Sequence, residues 1–387
     1  MSTTILVLGA GTGGIITAKE LSKKVGNDGE VNPVKIILFE KEERNVFAPS
    51  LLWLMIGKRK PQQVYRSTKK LAGAGVEVVI GEIENVNPEN ISVSVKGKGY
   101  KGDYMVISLG VEQTPEHNLN KFGFDFYTVE GAAAFNEKLQ NFKGGKIAVL
   151  VPSLPFKCPA APYEAAMLVA GFIRNKGLSS KTEISLYTPE PGPMGVAGKE
   201  LSGAVKQMVE SKGIKYFPEH QLTSATEKTL TFSNGKITEY DLLSFTPKHQ
   251  CPAVISKTNL IGKSGWIEAN RNTMETQFPN VYAIGDITFI PLEMGKPLPK
   301  AGVFAHYQAE VVAHNIAQNI YGNPDKSRDK TFNGEGQCFL EMGGGKAGYA
   351  GGNFYGSPLP VVKMKKPGFF WHWTKVWFEK YWWFKYF

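Results

Sequence analysis

A short apolar run, Ile5-Leu6-Val7-Leu8, leads directly into Gly9-Ala10-Gly11-Thr12-Gly13-Gly14. An apolar helical pattern follows, carried by Ile15, Ile16, Ala18, Leu21 and Val25. The run reads as a strand buried on both faces. Gly9 permits the tight turn, Gly11 lets the backbone approach a pyrophosphate, and Gly14 allows close helix–strand packing. The new helix then presents free N–H groups to the phosphates. A second strand, Val34 to Phe39, ends at Glu40, placed to accept hydrogen bonds from an adenosine ribose, with Lys41 beside it. Strand, glycine turn, helix and acid in that order predict a bound dinucleotide. They do not choose between FAD and NAD.

The remaining chain narrows the class. At 387 residues it is long enough for two to three domains at roughly 150 residues each. With 42% hydrophobic and 21% charged residues it is globular, which excludes disorder, collagen and coiled coil. Three cysteines exclude a disulfide scaffold and read as individual thiols. No metal-ligating cluster is read. The net charge of +10 favours an anionic partner. The start shows no basic-then-apolar export signal. No uninterrupted apolar stretch reaches the length of about 18 needed to span a bilayer.

Two later segments resemble the layout of two-dinucleotide-domain flavoenzymes. One is the strand Tyr104 to Ile107, running into Ser108-Leu109-Gly110; the other is Asn280 to Ile284, ending in Gly285-Asp286. The resemblance implies a split first domain in which Gly285 approaches FAD closely and Asp286 accepts a ribityl hydroxyl. As an alternative, Asp286 is a helix N-cap. A second buried-strand pattern, Gly145 to Val151, should continue into another glycine turn. It reads Pro152-Ser153-Leu154-Pro155-Phe156-Lys157-Cys158-Pro159-Ala160-Ala161-Pro162-Tyr163-Glu164 instead. Prolines remove the donors that would cradle a pyrophosphate. The fold unit is expected to persist without its nicotinamide site.

Cys158 lies in this loop beside Lys157 and ahead of a helix, an arrangement expected to lower its pKa. Cys338 precedes Gly343-Gly344-Gly345, which would let it approach a flat ring. Cys251, in Thr246-Pro247-Lys248-His249-Gln250-Cys251-Pro252, is left open between a loop thiol and a reactive one.

The run Lys157 to Glu164 resembles the cysteine segment of sulfide:quinone oxidoreductases and of the flavoprotein subunit of flavocytochrome c sulfide dehydrogenase. Phe47 to Trp53 with Gly57, Leu298 to Ala305, and Cys338 are similar to further segments of that family. The resemblance implies that hydrosulfide attacks a Cys158/Cys338 pair, leaving a persulfide, and that two electrons reach FAD. It also implies that Lys300 stabilises negative charge at the pyrimidine end of the flavin. Glu164 is either an acid or base near Cys158 or an acid on the helix dipole. Two departures, no cysteine in 111–126 and none in 47–57, imply non-covalent FAD at those places.

The last 19 residues hold 12 aromatics and five of the seven tryptophans. From Lys363 onward six lysines face one glutamate, a balance of +5. On a helix, Phe370, Trp373, Trp377, Tyr381 and Phe384 form one stripe, with Trp371, Phe378, Trp382 and Lys375 nearly opposite. Aromatics with lysines suit a headgroup layer, so monotopic docking on a lipid bilayer surface is expected, the face undetermined. Phe339, Tyr349 and Phe354 are candidates to flank a membrane quinone.

The expected fold is α/β, with two Rossmann-like dinucleotide-binding domains, the first split (1–112 and 262–330) and the second inserted (113–261). A C-terminal membrane-docking segment (331–387) completes it. The expected function is sulfide:quinone oxidoreduction, with FAD as cofactor, hydrosulfide and quinone as substrates, no nucleic acid partner and self-association left open. Three rivals stand beside it: a flavocytochrome c-type sulfide dehydrogenase flavoprotein, a type-II NADH:quinone oxidoreductase, and a non-catalytic flavin-containing membrane adaptor.

Overall fold

The computed structural model describes residues 2–25, 33–114, 116–322 and 326–387. The first apolar run is the strand Thr3–Leu8, and the glycine turn opens the helix Thr12–Val25. Ile5 to Leu8 are completely buried, as an unbroken apolar run demands of a strand covered on both faces. This strand is the centre of a five-stranded parallel sheet. Its order is Val281–Ala283, Tyr104–Ile107, Thr3–Leu8, Val34–Glu40 and Val76–Ile80. Val7 pairs with Leu38 on one side and with Val106 on the other. The edge strand returns from residue 281, so the unit is interrupted in sequence and closed in space. A long helix, Gly302–Ile320, packs along Thr12–Val25.

The interruption holds a second five-stranded parallel sheet. Its order is Phe124–Asp125, Leu242–Phe245, Gly145–Leu150, Thr182–Tyr187 and Lys215–Phe217. The helix after its proline loop, Ala161–Asn175, is buried along most of its length. Two parallel sheets with crossover helices make the architecture α/β, with a split first Rossmann-like unit and an inserted second one.

A three-stranded antiparallel sheet follows, built from Glu335–Glu341, Ala347–Asn353 and Val361–Gly368. Its register sets Cys338 opposite Ala350 and Phe339 opposite Tyr349. The triple glycine has another use than the sequence suggests. Gly343, Gly344 and Gly345 all take left-handed backbone angles at the turn between the first two strands. A Cβ on Gly343 would come within 2.9 Å of the Met167 carbonyl oxygen. The glycines thus seat this hairpin against Ala161–Asn175.

The chain ends in an 18-residue helix, Phe369–Tyr386. Among the described residues, no helix is long and apolar enough to cross a membrane.

Candidate active site

The first dinucleotide cradle is assembled where the strands of the first sheet end. Gly9 has φ +93°, and a Cβ there would meet the Ser108 carbonyl oxygen at 2.6 Å. A Cβ on Gly14 would lie 1.8 Å from the Gly9 carbonyl oxygen, which no side chain can tolerate. A Cβ on Gly11 would meet nothing within 4 Å, so the turn is open where a phosphate would approach. Glu40 Oε2 accepts the Ala10 amide at 2.8 Å, and Oε1 accepts the amides of Lys41 and Glu42 at 2.8 and 3.2 Å. The carboxylate is thereby fixed beside the turn, with lone pairs left for further donors. Lys41 contributes its amide, and its side chain faces solvent. Ser108 is buried at the adjacent strand end, and Gly110 turns the chain with φ +66°.

The late Gly-Asp turn closes the other side. Gly285 has φ +74° and donates to Gln308 Oε1 at 2.7 Å. Asp286 is the first residue after it, and its buried Oδ1 finds no hydrogen-bond partner. Burial raises the Asp286 carboxyl pKa, opposed by Lys157 and Lys300. An orphaned buried acceptor, an open glycine turn and a held ribose-side acid together fit FAD, the group implied by the sequence.

Lys300 reaches back under this turn. Its Nζ donates to the carbonyls of Asp286 at 2.7 Å and Thr288 at 3.1 Å, and lies 3.4 Å from the Trp266 ring centroid. Burial lowers its pKa to about 8, opposed by Asp286 and Cys251. Its carbonyl accepts the Cys158 amide at 2.7 Å, so the two resembling segments are clasped together.

Cys158 and Cys338 both pack against the core of the second unit, and both are free thiols. Cys158 sits at φ +55°, a left-handed conformation unusual for a residue with a side chain. The expectation of a lowered Cys158 pKa is overturned. Burial pushes that thiol up to about 12, and Glu164 adds to the rise, while Lys375 opposes it. Lys157, the neighbour in sequence, is turned toward the Tyr127 ring, 6.0 Å from its centroid. Burial, followed by Cys158 and Glu164, holds Cys338 well above its ordinary value. Cys251 is buried elsewhere, against the core of the first sheet.

Glu164 lies in the first turn of Ala161–Asn175. It is buried, and its Oε1 accepts from Lys375 Nζ at 2.6 Å and from the Glu341 amide at 2.8 Å. Burial lowers the Lys375 pKa, but Glu164 and Glu341 outweigh it and keep the ammonium charged. Glu341, itself buried, receives His372 Nδ1 at 2.8 and 3.1 Å. Further along the tail, Arg59 and Ser50 hold the Glu379 carboxylate. Lys375, His372, Glu341 and Glu379 were missed by sequence reasoning. Their partners lie 31 to 329 positions away in the chain; for Lys375, His372 and Glu379 the local signal was polar groups within an aromatic helix, and Glu341, on the strand Glu335–Glu341, offered none.

The three aromatics proposed to flank a quinone do not all meet. Phe339 and Tyr349 are a cross-strand pair 5.4 Å apart, and Tyr349 stacks on Trp371 at 4.5 Å. Phe354 stands apart, edge-on to Phe304 at 5.0 Å. His249 is a further residue that sequence reasoning passed over. It is buried against Tyr127, and neither ring nitrogen has a partner.

Fold and site together define a protein of two Rossmann-like units in which Cys158 stands in the glycine-less loop of the second unit and Cys338, on the C-terminal sheet, packs against the same core. A family model for the central part of the sulfide dehydrogenase (flavocytochrome c) flavoprotein chain matches residues 132–247. The chain is 26% identical over 306 residues to the mitochondrial sulfide:quinone oxidoreductase of Mus musculus, covering 74% of this chain and 66% of that protein. It is 26% identical over 411 residues to the sulfide-quinone reductase of Aquifex aeolicus, covering 98% and 90%. The solved structure of the sulfide:quinone oxidoreductase from Aquifex aeolicus superposes with a TM-score of 0.86 at 23% identity, covering 99% of this chain and 91% of that one.

Proposed function

We propose that this protein is a sulfide:quinone oxidoreductase working through Cys158 and Cys338. The observation that carries the reading is that Cys158 and Cys338 both pack, half-buried, against the core of the second unit, where the second dinucleotide loop has lost its glycines. In the oxidised pair, the sulfur of hydrosulfide bonds to one cysteine sulfur and the S–S bond breaks. One cysteine becomes a persulfide and the other a thiolate, which carries the electron pair. Non-covalently bound FAD supplies the two-electron relay between that pair and a quinone. Gly9, Gly11, Gly14 and Glu40 would hold its adenosine diphosphate end, and Ser108, Gly110, Gly285 and Asp286 would hold its middle. The Asp286 acceptor, unsatisfied by protein, would be free to accept a ribityl hydroxyl. Lys300 fixes the Asp286–Thr288 turn and joins it to the Cys158 loop.

The tail helix sets the second substrate in reach. Phe369, Phe370, Trp373, Trp377 and Phe384 are all more than half exposed, and Tyr381 is 39% exposed. An aromatic face this large is costly in water and suits a headgroup layer, where quinone is available. The same face favours a quinone acceptor over a soluble cytochrome. Tyr349, stacked on Trp371 at the root of the tail, and its tilted cross-strand neighbour Phe339 would flank the quinone ring.

The test is anaerobic. Hydrosulfide should bleach the flavin of the wild type, and a soluble quinone analogue should restore it. Cys158→Ser should lose the bleaching by at least about 100-fold, the scale of losing a nucleophilic group. Bleaching by NADH and not by sulfide would reverse the assignment.

A further inference from the structure

The tail helix reaches the cysteine site itself. Each cysteine is followed by a buried carboxylate: Glu164 after Cys158 on the helix side, Glu341 after Cys338 on the sheet side. The tail meets both. Lys375 Nζ lies 2.6 Å from Glu164 Oε1, and His372 Nδ1 lies 2.8 Å from Glu341 Oε1. The Glu341 amide donates to Glu164 Oε1 at 2.8 Å. Those bonds form a closed ring that leaves the tail at residue 372 and returns to it at residue 375. Residues three apart share a helix face, so one turn presents both groups inward. Trp373, between them in sequence, points outward and is 66% exposed. Trp53 backs the ring, its plane edge-on to His372 at 6.2 Å and 5.5 Å from Lys375 Nζ.

We propose that Lys375, held in place by His372 through Glu341, is a positioning residue that sets the thiolate population of the Cys158–Cys338 pair. Reactivity of the pair then depends on the seating of the tail helix. The physical reason is sign. A buried carboxylate near a thiol disfavours the thiolate, and a buried ammonium favours it. Cys158 is faced by Glu164 and Asp286 with one sign and by Lys375 with the other, and Tyr127 is adjacent to it. Cys338 is faced by Cys158 and Glu164 with one sign and by Lys375 with the other. With Lys375 seated, its charge opposes that of Glu164 at both sulfurs. With the helix displaced, the opposing charge is gone. The proposal rests on the cysteine-pair reading only for its consequence, because thiol ionisation is measured without sulfide or quinone.

The experiment is the pH dependence of iodoacetamide alkylation of the reduced, flavin-loaded full chain in a Cys251→Ala background. Cys158 and Cys338 are quantified separately by peptide mass spectrometry. Glu164→Gln should leave the lysine charge unopposed and speed alkylation at neutral pH by about tenfold, one pKa unit. Lys375→Met should slow it by a similar factor. The double variant should return close to wild type, and Lys375→Arg should stay near it. His372→Phe should shift in the direction of Lys375→Met by less. Opposite signs for the two single variants cannot come from a loss of folding. Shifts in the same direction, or no shift in Glu164→Gln, would overturn the proposal, and if Lys375→Met does not fold, unslowed alkylation in His372→Phe overturns it. A wild type that alkylates as predicted but is not bleached by sulfide would sink the enzymatic reading and leave this one standing.

Discussion

At the scale of single residues, burial decided what sequence neighbours could not. Cys158 follows Lys157 and precedes a helix, and both features argue for a low pKa. The fold turns Lys157 toward Tyr127 and brings Glu164 and burial to bear on the thiol, so its pKa rises instead. The glycines of the first turn were legible because backbone geometry is local. The partners of Cys158 were not, because they are set by packing. His249 shows the same principle with a measurable consequence. Burial, then the charges of Lys157 and Lys300, lowers its pKa to about 3 from 6.5. The unfolded chain therefore takes up a proton that the folded chain refuses. The neutral His249 contributes its full stability above pH about 6.5 and loses it progressively as the pH falls toward 3. Between pH 7 and 5 the loss is about 2 kcal/mol at one proton per molecule. His249→Phe should flatten that part of the urea-unfolding profile by this amount. An unchanged slope would show that other groups carry the acid sensitivity.

At the scale of elements, the tail helix was the most legible piece and also the one whose inner face was least foreseen. The aromatic stripe read from spacing is the face the structure exposes, because helical period fixes which residues share a side. Its inner side is seated by contacts no period reveals. Phe47 lies within 6 Å of the rings of Phe378, Trp382 and Trp383, and Arg66 sits 4.5 Å over Trp383. The Phe47–Trp53 segment, noticed only for its resemblance, is thus the seat of the tail. The division of faces makes a direct test possible. Trp373 and Trp377 touch solvent, so replacing both with alanine should leave folding intact. Burying an indole is worth about 2 kcal/mol, so vesicle binding should fall by at least about 100-fold for the pair. Co-sedimentation with vesicles reads this, and circular dichroism checks the fold. Undiminished binding would place the lipid contact elsewhere.

At the scale of the whole molecule, the order of segments was readable and the bridges between them were not. The split first unit follows from two strand-and-turn signals on either side of an insertion, and strand order confirms it. That the tail ties the first unit, through Ser50 and Arg59, to the second, through Glu164, could not be read. Lys375 and Glu164 are 211 positions apart. The bridging alters the electrostatics of docking less than it might. Lys375 and Glu379 are both turned inward, which removes one charge of each sign from the lipid-facing tally. Lys363, Lys365, Lys366 and Lys380 remain exposed beside the aromatic face, and Lys385 is partly exposed. Lysines near an anionic surface contribute about 1 kcal/mol each at low salt, and screening removes that within a Debye length of about 3 Å at 1 M. Aromatic burial is not screened. Binding to vesicles containing anionic lipid should therefore weaken by at least about 100-fold from 0.05 M to 1 M salt and level off at a salt-independent remainder. Neutral vesicles should show only that remainder, and the Trp373/Trp377 double alanine variant should lack it. Binding that vanishes at high salt for the wild type would mean that the exposed aromatics do not enter the lipid layer and that charge alone holds the protein to it.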